Sequence, residues 1–234
     1  MPRKSRNLNS KGFFHVMVQG NNKNYIFNKN NQKIKYLELM RKYKMEYEIK
    51  IIAYCIMDNH AHLLLYSNDI NQISKYMQCL NGTYGIYYNK TNESIGFVYR
   101  NRFKSQYIYN EDYLKRCIKY IHMNPVKAGI VSNEALYLYS SFKEYLNKNI
   151  NSIIDHELIK KIFQTENYIS AFLKINDDDI EIMDIDIDNF KIAVDNYLKK
   201  QNISIEYIKD DYNRIKSICE YLKKNRSVNI SIVP

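Results

Sequence analysis

Two histidines separated by one residue are the side chains whose spacing most directly predicts chemistry in this sequence. His60 and His62 lie in the segment CIMDNHAHLLL, residues 55–65. Because alternate residues of a β-strand face the same side, both imidazoles are expected to point the same way. That spacing suits a shared divalent ion. The alternative is that two histidines in an apolar strand simply pack in the core.

A second candidate is Tyr120, which Asn124 follows one helical turn later. Residues four apart share a helix face. A phenol can attack phosphorus and conserve the bond energy in a covalent phosphotyrosine, if a Lewis acid polarises the phosphate. Two imidazoles and one amide oxygen would suit Mg²⁺ or Mn²⁺. The chain has 23 tyrosines, so spacing alone does not select Tyr120 over a packed aromatic residue.

Seven predicted elements position these residues. Hydrophobic periodicity and turn residues indicate strands at 13–19, 49–57, 60–66 and 97–109, and helices at 32–47, from 69 or 71 to about 88, and from 111 to about 124. Pro125 is expected to end the last helix. The first six elements spell an α+β fold, the ferredoxin-like split βαββαβ sandwich with an antiparallel sheet. The seventh is an added catalytic helix that carries Tyr120.

Charge divides the chain unevenly. Residues 1–150 hold 23 Lys and Arg against 10 Asp and Glu, whereas residues 151–234 hold 12 against 15. This asymmetry predicts an N-terminal part that meets a polyanion. A codon bias toward Lys and Asn would explain the residue types but not their distribution. We therefore predict a polyanion-binding domain at 1–148 and an α-helical C-terminal appendage at 149–234, with a helix at 155–173.

Several function classes are disfavoured by composition. The four cysteines show no C-x-x-C pair and no regular spacing, which argues against structural zinc and a disulfide framework. No apolar run approaches the roughly 18 residues that a membrane span needs. The expected location is cytoplasmic and nucleoid-associated, without a membrane partner.

Basic residues at two places are candidates for DNA binding. On the predicted strand 97–109, Arg100, Arg102 and Lys104 alternate, so one face would offer cations to phosphates. The interleaved aromatic residues would then face a core or unstacked bases. Near the N-terminus a short basic arm would follow the DNA backbone, or else be a solvated terminus. This arm contains Arg3, Lys4 and Arg6.

The order of five segments resembles the single-tyrosine HUH transposases, and within them the REP-associated tyrosine transposase branch. The resemblance covers roughly residues 10–146. The segments are FHVMVQGNN (14–22), MDNHAHLLL (57–65), GFVYRNRFKS (96–105), YIHMNPVKAG (120–129) and YSSFKEY (139–145). Gln19, Asp58 and Ala61 depart from the family's common residues at their positions.

This resemblance implies roles for the two candidate clusters. His60 and His62 would be metal ligands for Mg²⁺ or Mn²⁺, with Asn124 as the third ligand. Tyr120 would be the nucleophile that leaves a 5′-phosphotyrosine and a free 3′-hydroxyl. The implied partner is single-stranded DNA bearing a hairpin, and no ATP is implied. The protein would act as a monomer or as a homodimer.

Three other functions remain open on the sequence. A basic ferredoxin-like domain also fits a non-enzymatic RNA-binding module. A transposase relative could bind DNA without cutting it. A metal-dependent phosphoesterase would use the same histidines without a covalent step.

Overall fold

The protein is represented by a computed structural model, which describes residues 11–147, 151–165, 167–175 and 198. Within these residues the regular elements alternate as the sequence predicts for 11–127. The strands are β1 (Gly12–Gln19), β2 (Lys50–Ile56), β3 (His60–Ser67) and β4 (Lys104–Ile108). The helices are α1 (Asn30–Glu46), α2 (Ile70–Thr91), α3 (Glu111–Lys127), α4 (Phe142–Leu146), α5 (His156–Phe163) and α6 (Tyr168–Leu173).

The four strands form one sheet in the order β2-β3-β1-β4, and each neighbouring pair is antiparallel. β3 lies between β1 and β2, which is the split βαβ arrangement. The predicted ferredoxin-like βαββαβ sandwich is confirmed. Its register pairs Gln19 with His60 and Met17 with His62, so the end of β1 lies beside the start of β3.

Helices cover the sheet in two groups. α1 packs against α2, and both contact the sheet. Phe27, Tyr36 and Tyr84 form an aromatic core there, with ring centroids 4.8 to 5.2 Å apart. α3 packs on β2 and β3, against the face of β3 that carries His62. The predicted added helix therefore covers the histidine face.

The fourth strand is shorter than the prediction of 97–109. Regular pairing with β1 begins only at Lys104, opposite Met17. Before it, the chain keeps single contacts with the end of β1: Tyr99 forms an isolated bridge with Gly20, and the Arg100 N–H donates to the Gln19 carbonyl. Val98 is buried. The apolar residues that indicated a strand therefore pack into the core from an irregular segment.

Helix α3 runs past the predicted end at Asn124. Pro125 lies inside the helix, two residues before its last residue, so its missing N–H removes only one hydrogen bond near the terminus. The turn closes at Gly129, which has a φ of +67° and donates its N–H to the Val126 carbonyl. Glycine adopts this left-handed conformation without a Cβ penalty. Asn124 thus stays helical, on the turn that follows Tyr120.

The outer edge of β2 is covered by chain that follows α3. The Ile56 N–H donates to the Tyr139 carbonyl, and the Ser141 N–H donates to the Tyr54 carbonyl. Farther along the strand, Asp155 donates its N–H to the carbonyl of Ile51. These bonds satisfy backbone groups that an edge strand would otherwise leave exposed.

The predicted helix at 155–173 is divided in two. Asp155 caps α5 through its side chain, and Gln164 follows that helix with a φ of 55°, which ends it before α6 begins. Both helices belong to the same compact unit as the sheet. The predicted division at residue 148 stays a prediction, because 176–197 and 199–234 lie outside the described residues. In the described part of the chain, no helix is long and apolar enough to cross a membrane.

Candidate active site

The two predicted histidines stand together at the start of β3. The ring centroids of His60 and His62 are 4.9 Å apart, and the rings are nearly perpendicular. His62 is buried at 1% exposure, whereas His60 is half-buried. The structure therefore brings both imidazoles to one face of the sheet, as strand alternation requires.

A third histidine, His15 on β1, joins this pair and was not predicted. Its Nε2 lies 3.0 Å from Nδ1 of His62, and the two rings are within 10° of parallel. The β1–β3 register pairs His15 with Leu64, which makes His62 a diagonal neighbour on the same face. Alternation along β1 puts His15 on the same face as its other odd-numbered residues. Connecting that face to His62 requires the register between β1 and β3, which the sequence does not show.

Burial keeps two of these imidazoles neutral. Desolvation lowers the pKa of His15 to about 4. It also lowers the pKa of His62 well below its usual value, and the neighbouring His15 and His60 lower it further. A neutral imidazole retains a nitrogen lone pair, which is the form that binds a metal.

Hydrogen bonds fix how the imidazoles are oriented. Nδ1 of His60 lies 2.6 Å from the side-chain oxygen of Asn59, so it carries the proton and donates. Nδ1 of His62 lies 3.0 Å from Nε2 of His15, and either of these ring nitrogens can be the donor. When His62 donates, Nε2 is the nitrogen with the lone pair in both predicted ligands. Such outer contacts are the usual means of fixing a metal-binding histidine.

Tyr120 lies directly against this cluster. Its ring centroid is 5.4 Å from that of His62 and 6.1 Å from that of His15, and both contacts are edge-to-face. Only 5% of Tyr120 is exposed. Tertiary packing thus selects this tyrosine from the others by placing it over the histidines, which its spacing in the sequence could not do.

Two further residues of α3 surround Tyr120. The Asn124 side chain donates from Nδ2 to the Tyr120 carbonyl at 2.8 Å, which orients the amide along the helix. Nζ of Lys127 lies 5.8 Å from the centre of the Tyr120 ring. An ammonium group at this distance makes a favourable electrostatic contact with the aromatic ring.

The predicted metal ligands at this site are two imidazoles and one amide. Among the described residues, no group of three or more His, Cys, Asp or Glu side chains could hold a metal ion. A metal here would therefore depend on His60, His62 and the Asn124 oxygen, with its other positions filled by water or phosphate oxygens. An incomplete protein set of this kind suits Mg²⁺ or Mn²⁺, which usually keep several non-protein ligands.

The prediction that Arg100, Arg102 and Lys104 lie on one face of a strand is wrong. Arg100 and Arg102 are exposed, but both precede β4 in the irregular segment, and of the three only Lys104 lies in the strand. They therefore do not alternate on one strand face. The basic arm of Arg3, Lys4 and Arg6 lies outside the described residues.

His122, two residues after Tyr120, has a separate environment. It is fully buried, and its Nε2 lies 2.7 Å from the Ser141 hydroxyl. Rings of Phe142, Tyr145 and Phe172 surround it. It packs in the core between α3 and the following helices and takes no part in the histidine cluster.

Comparison with known proteins identifies the class of this protein, which is a DNA transposase. Residues 9–124, about half of the chain, match the family described as Transposase IS200 like. The chain belongs to the IS200-like transposase family. No curated protein matches the sequence.

Two solved structures are similar to this chain, and the first of them has the same fold. It is a REP-associated tyrosine transposase bound to a REP hairpin, with 18% sequence identity and a TM-score of 0.54. The similarity covers 65% of this chain and 90% of that one. A transposase candidate from Deinococcus radiodurans R1 is 12% identical, with a TM-score of 0.37 over 49% of this chain and 92% of its own.

Proposed function

We propose that this transposase cleaves and rejoins single-stranded DNA through a covalent bond between Tyr120 and a 5′-phosphate. The observation that carries the proposal is the position of the Tyr120 ring, 5.4 Å from His62 and on the same side of the sheet as the histidine pair. A nucleophile and candidate metal ligands on one face can act on the same phosphate.

The bond changes in the proposed step balance as follows. Oη of Tyr120 attacks a backbone phosphorus and loses its proton to solvent. The new P–O bond forms as the bond to the 3′ oxygen breaks in line with it, and that oxygen leaves and takes up a proton. The products are a 5′-phosphotyrosine and a free 3′-hydroxyl. Rejoining reverses these steps with the same or another 3′-hydroxyl, so no ATP is consumed.

Residues around Tyr120 have distinct parts in this proposal. His60, His62 and Asn124 would hold Mg²⁺ or Mn²⁺, which supplies Lewis-acid polarisation of the phosphate. The Lys127 ammonium, 5.8 Å from the centre of the Tyr120 ring, would offer a positive charge to the incoming phosphate. Helix α3 keeps Tyr120 and Asn124 one turn apart, so both approach the histidine face together.

The proposed substrate is single-stranded DNA with a hairpin. A structural relative with this fold is bound to a REP hairpin, and residues 1–150 carry 13 more basic than acidic side chains (23 against 10). Phosphate contacts by such a surface would supply most of the sequence-independent affinity.

A covalent adduct tests the nucleophile. Labelled hairpin-bearing single strands are incubated with the protein and Mg²⁺ or Mn²⁺, and a protein–DNA adduct that survives denaturation is measured. The wild-type protein should form it, whereas Tyr120→Phe and His60→Ala should not. An adduct that persists in Tyr120→Phe would show that another residue attacks.

A second function, DNA binding without cleavage, is favoured by one observation. Tyr120 is only 5% exposed and His62 only 1%, as expected of residues that merely pack. Catalysis requires that substrate binding open access to the phenol. The same assay separates the two functions, because a silent binding protein forms no adduct on any hairpin substrate while its affinity for DNA remains measurable.

A further inference from the structure

A large groove lies outside the histidine face, between α2 and the irregular segment that precedes β4. Its volume is about 990 Å³. One wall consists of α2 residues from Ser74 to Asn89, and the other of residues 96–103. Gly82 and Gly85 stand on the helix wall, and a Cβ at Gly82 would meet no atom within 4 Å. The groove is therefore open to a flat ligand.

The lining of this groove has the composition of a nucleic-acid site. Arg100 and Arg102 line it and are exposed, and among its described lining residues none is acidic. Several amide side chains that can bond base edges also line it: Asn21, Gln78, Asn81 and Asn101. Guanidinium groups bind phosphates, and amides bind base edges. Without a carboxylate, this lining is not suited to a basic partner.

An exposed aromatic ring stands at the groove. Phe97 is 91% exposed, although the next residue, Val98, is buried. The Asn21 N–H donates to the Val98 carbonyl, and the hydroxyl of Tyr99 is enclosed by protein. Because these neighbours fix the backbone, Phe97 is held outward by the fold. A large apolar side chain held in water next to two arginines is typical of a stacking platform.

The groove also reaches the end of the sheet that carries the active site. The Arg100 N–H donates to the Gln19 carbonyl, and Gln19 pairs with His60. Neighbouring strands are about 4.8 Å apart, so the Arg100 backbone lies on the order of 10 Å from His60. A few nucleotides can span this distance.

We propose that this groove binds unpaired nucleotides next to the cleavage site, with one base stacked on Phe97 and phosphates at Arg100 and Arg102. The inference rests on the proposed function, because it assumes a single-stranded substrate. It adds a place on the protein for the unpaired strand and a residue, Phe97, that holds a base there.

A thermodynamic cycle tests the stacked base. Hairpins with single-stranded extensions on either side are bound in metal-free buffer, with each extension nucleotide replaced in turn by an abasic site. At one or two positions the abasic site should weaken wild-type binding by roughly 5- to 150-fold. That penalty should disappear in Phe97→Ala and return in Phe97→Tyr. Abasic penalties identical in wild type and Phe97→Ala at every position would overturn the proposal.

Salt dependence tests the phosphate contacts. Removing two contacts to single-stranded DNA should reduce the slope of log affinity against log salt by about 1.4. The double variant Arg100→Gln/Arg102→Gln should show this change. The matched double variant Lys35→Gln/Lys42→Gln, on α1 and away from the groove lining, should change the slope less. Equal slopes in the two doubles would contradict a phosphate path through the groove.

Further controls distinguish a failure of the groove proposal from a failure of the proposed cleavage chemistry. Tyr109→Ala removes an exposed aromatic residue that does not line the groove, and it should leave every abasic penalty unchanged. A monomer–dimer shift in Phe97→Ala with unaltered DNA affinity would assign the groove to a second copy of the chain and overturn the proposal. Binding without metal involves no cleavage, so a missing covalent adduct affects only the nucleophile assignment.

Discussion

The histidine face under α3 and the groove beside α2 lie at the same end of the sheet but differ in burial. His15, His62 and Tyr120 are each at most 5% exposed, whereas Phe97 is 91% exposed. Buried polar groups need protein partners, so contacts across two strands and a helix determine where each imidazole lies. Exposed groups need no protein partners, because water can bond them. The shape of the groove depends instead on a few backbone hydrogen bonds.

The two proposed tasks of the molecule therefore lie in regions that differ in burial. The proposed chemistry lies in a part of the core that also stabilises the fold, so changes there affect both activity and stability. The proposed strand binding lies on a surface that can change with little effect on folding. The experiments below test that separation.

The largest expected effect is the loss of cleavage in Tyr120→Phe. Removing the phenolic oxygen removes the nucleophile, so the adduct should fall below detection. The ring still packs against His62, and the affinity for hairpin DNA should stay within about twofold of wild type, since surface phosphate contacts dominate that affinity. Gel detection of the adduct and fluorescence anisotropy measure the two quantities. A parallel loss of binding would show that the two regions are not separate.

The contact between His15 and His62 should control metal affinity. His15→Leu removes the ring nitrogen that lies 3.0 Å from Nδ1 of His62, and losses of outer partners of this kind typically cost 10- to 100-fold in affinity. His15→Gln offers an amide oxygen and should recover most of the loss. Free Mn²⁺ measured by electron paramagnetic resonance gives the affinity without any cleavage. Equal affinities in the Leu and Gln variants would contradict this role.

Acid should destabilise the metal-free protein through its buried histidines. His122, with its pKa lowered by burial to about 3, is neutral in the folded state, while the unfolded chain protonates near pH 6.5. The unfolded state therefore binds more protons below pH 6.5, and stability falls as pH falls. From pH 7 to pH 5 this costs about 2 kcal/mol per such histidine.

Urea unfolding at the two pH values measures the loss. The variant His122→Gln should reduce the difference between them by about 2 kcal/mol. An unchanged pH dependence in that variant would mean that His122 is not neutral in the folded protein.

The smallest expected effect is on stability at the groove. Phe97→Ala should change the free energy of unfolding by no more than about 0.5 kcal/mol, because the ring is almost fully exposed. As a matched control, Phe27→Ala removes a fully buried ring and should cost roughly 3 to 5 kcal/mol. Similar losses in the two variants would show that Phe97 packs against the protein.

Local patterns predicted most of the elements up to residue 124. The apolar, β-branched run and the turn at Asp58 predicted β2 and β3 to within one residue, and the acids after Asn110 marked the start of α3. The errors arose where tertiary contacts override local signals. Val98 and Tyr99 have side chains that favour strands, but tertiary contacts hold them in an irregular segment. Strand β4 therefore begins only at Lys104.

The candidate site was predicted only in part for a similar reason. Asp58, which departs from the family's usual residue, pairs with the buried Lys33 at 2.6 Å, and so stabilises the turn before His60. His15 could not be connected to His62 because the two are 47 residues apart. Nothing local to β1 gives its register against β3.

The sequence by itself determined relations between residues close in the chain. Strand geometry places His60 and His62 on one side, and helix geometry places Tyr120 and Asn124 one turn apart, because backbone dihedral angles set these spacings. Only the tertiary structure decided that Tyr120 lies over His62, that His15 supports it, and that Phe97 faces an open groove. Those contacts depend on strand register and helix packing, which are set by burial of the whole core and not by any single segment.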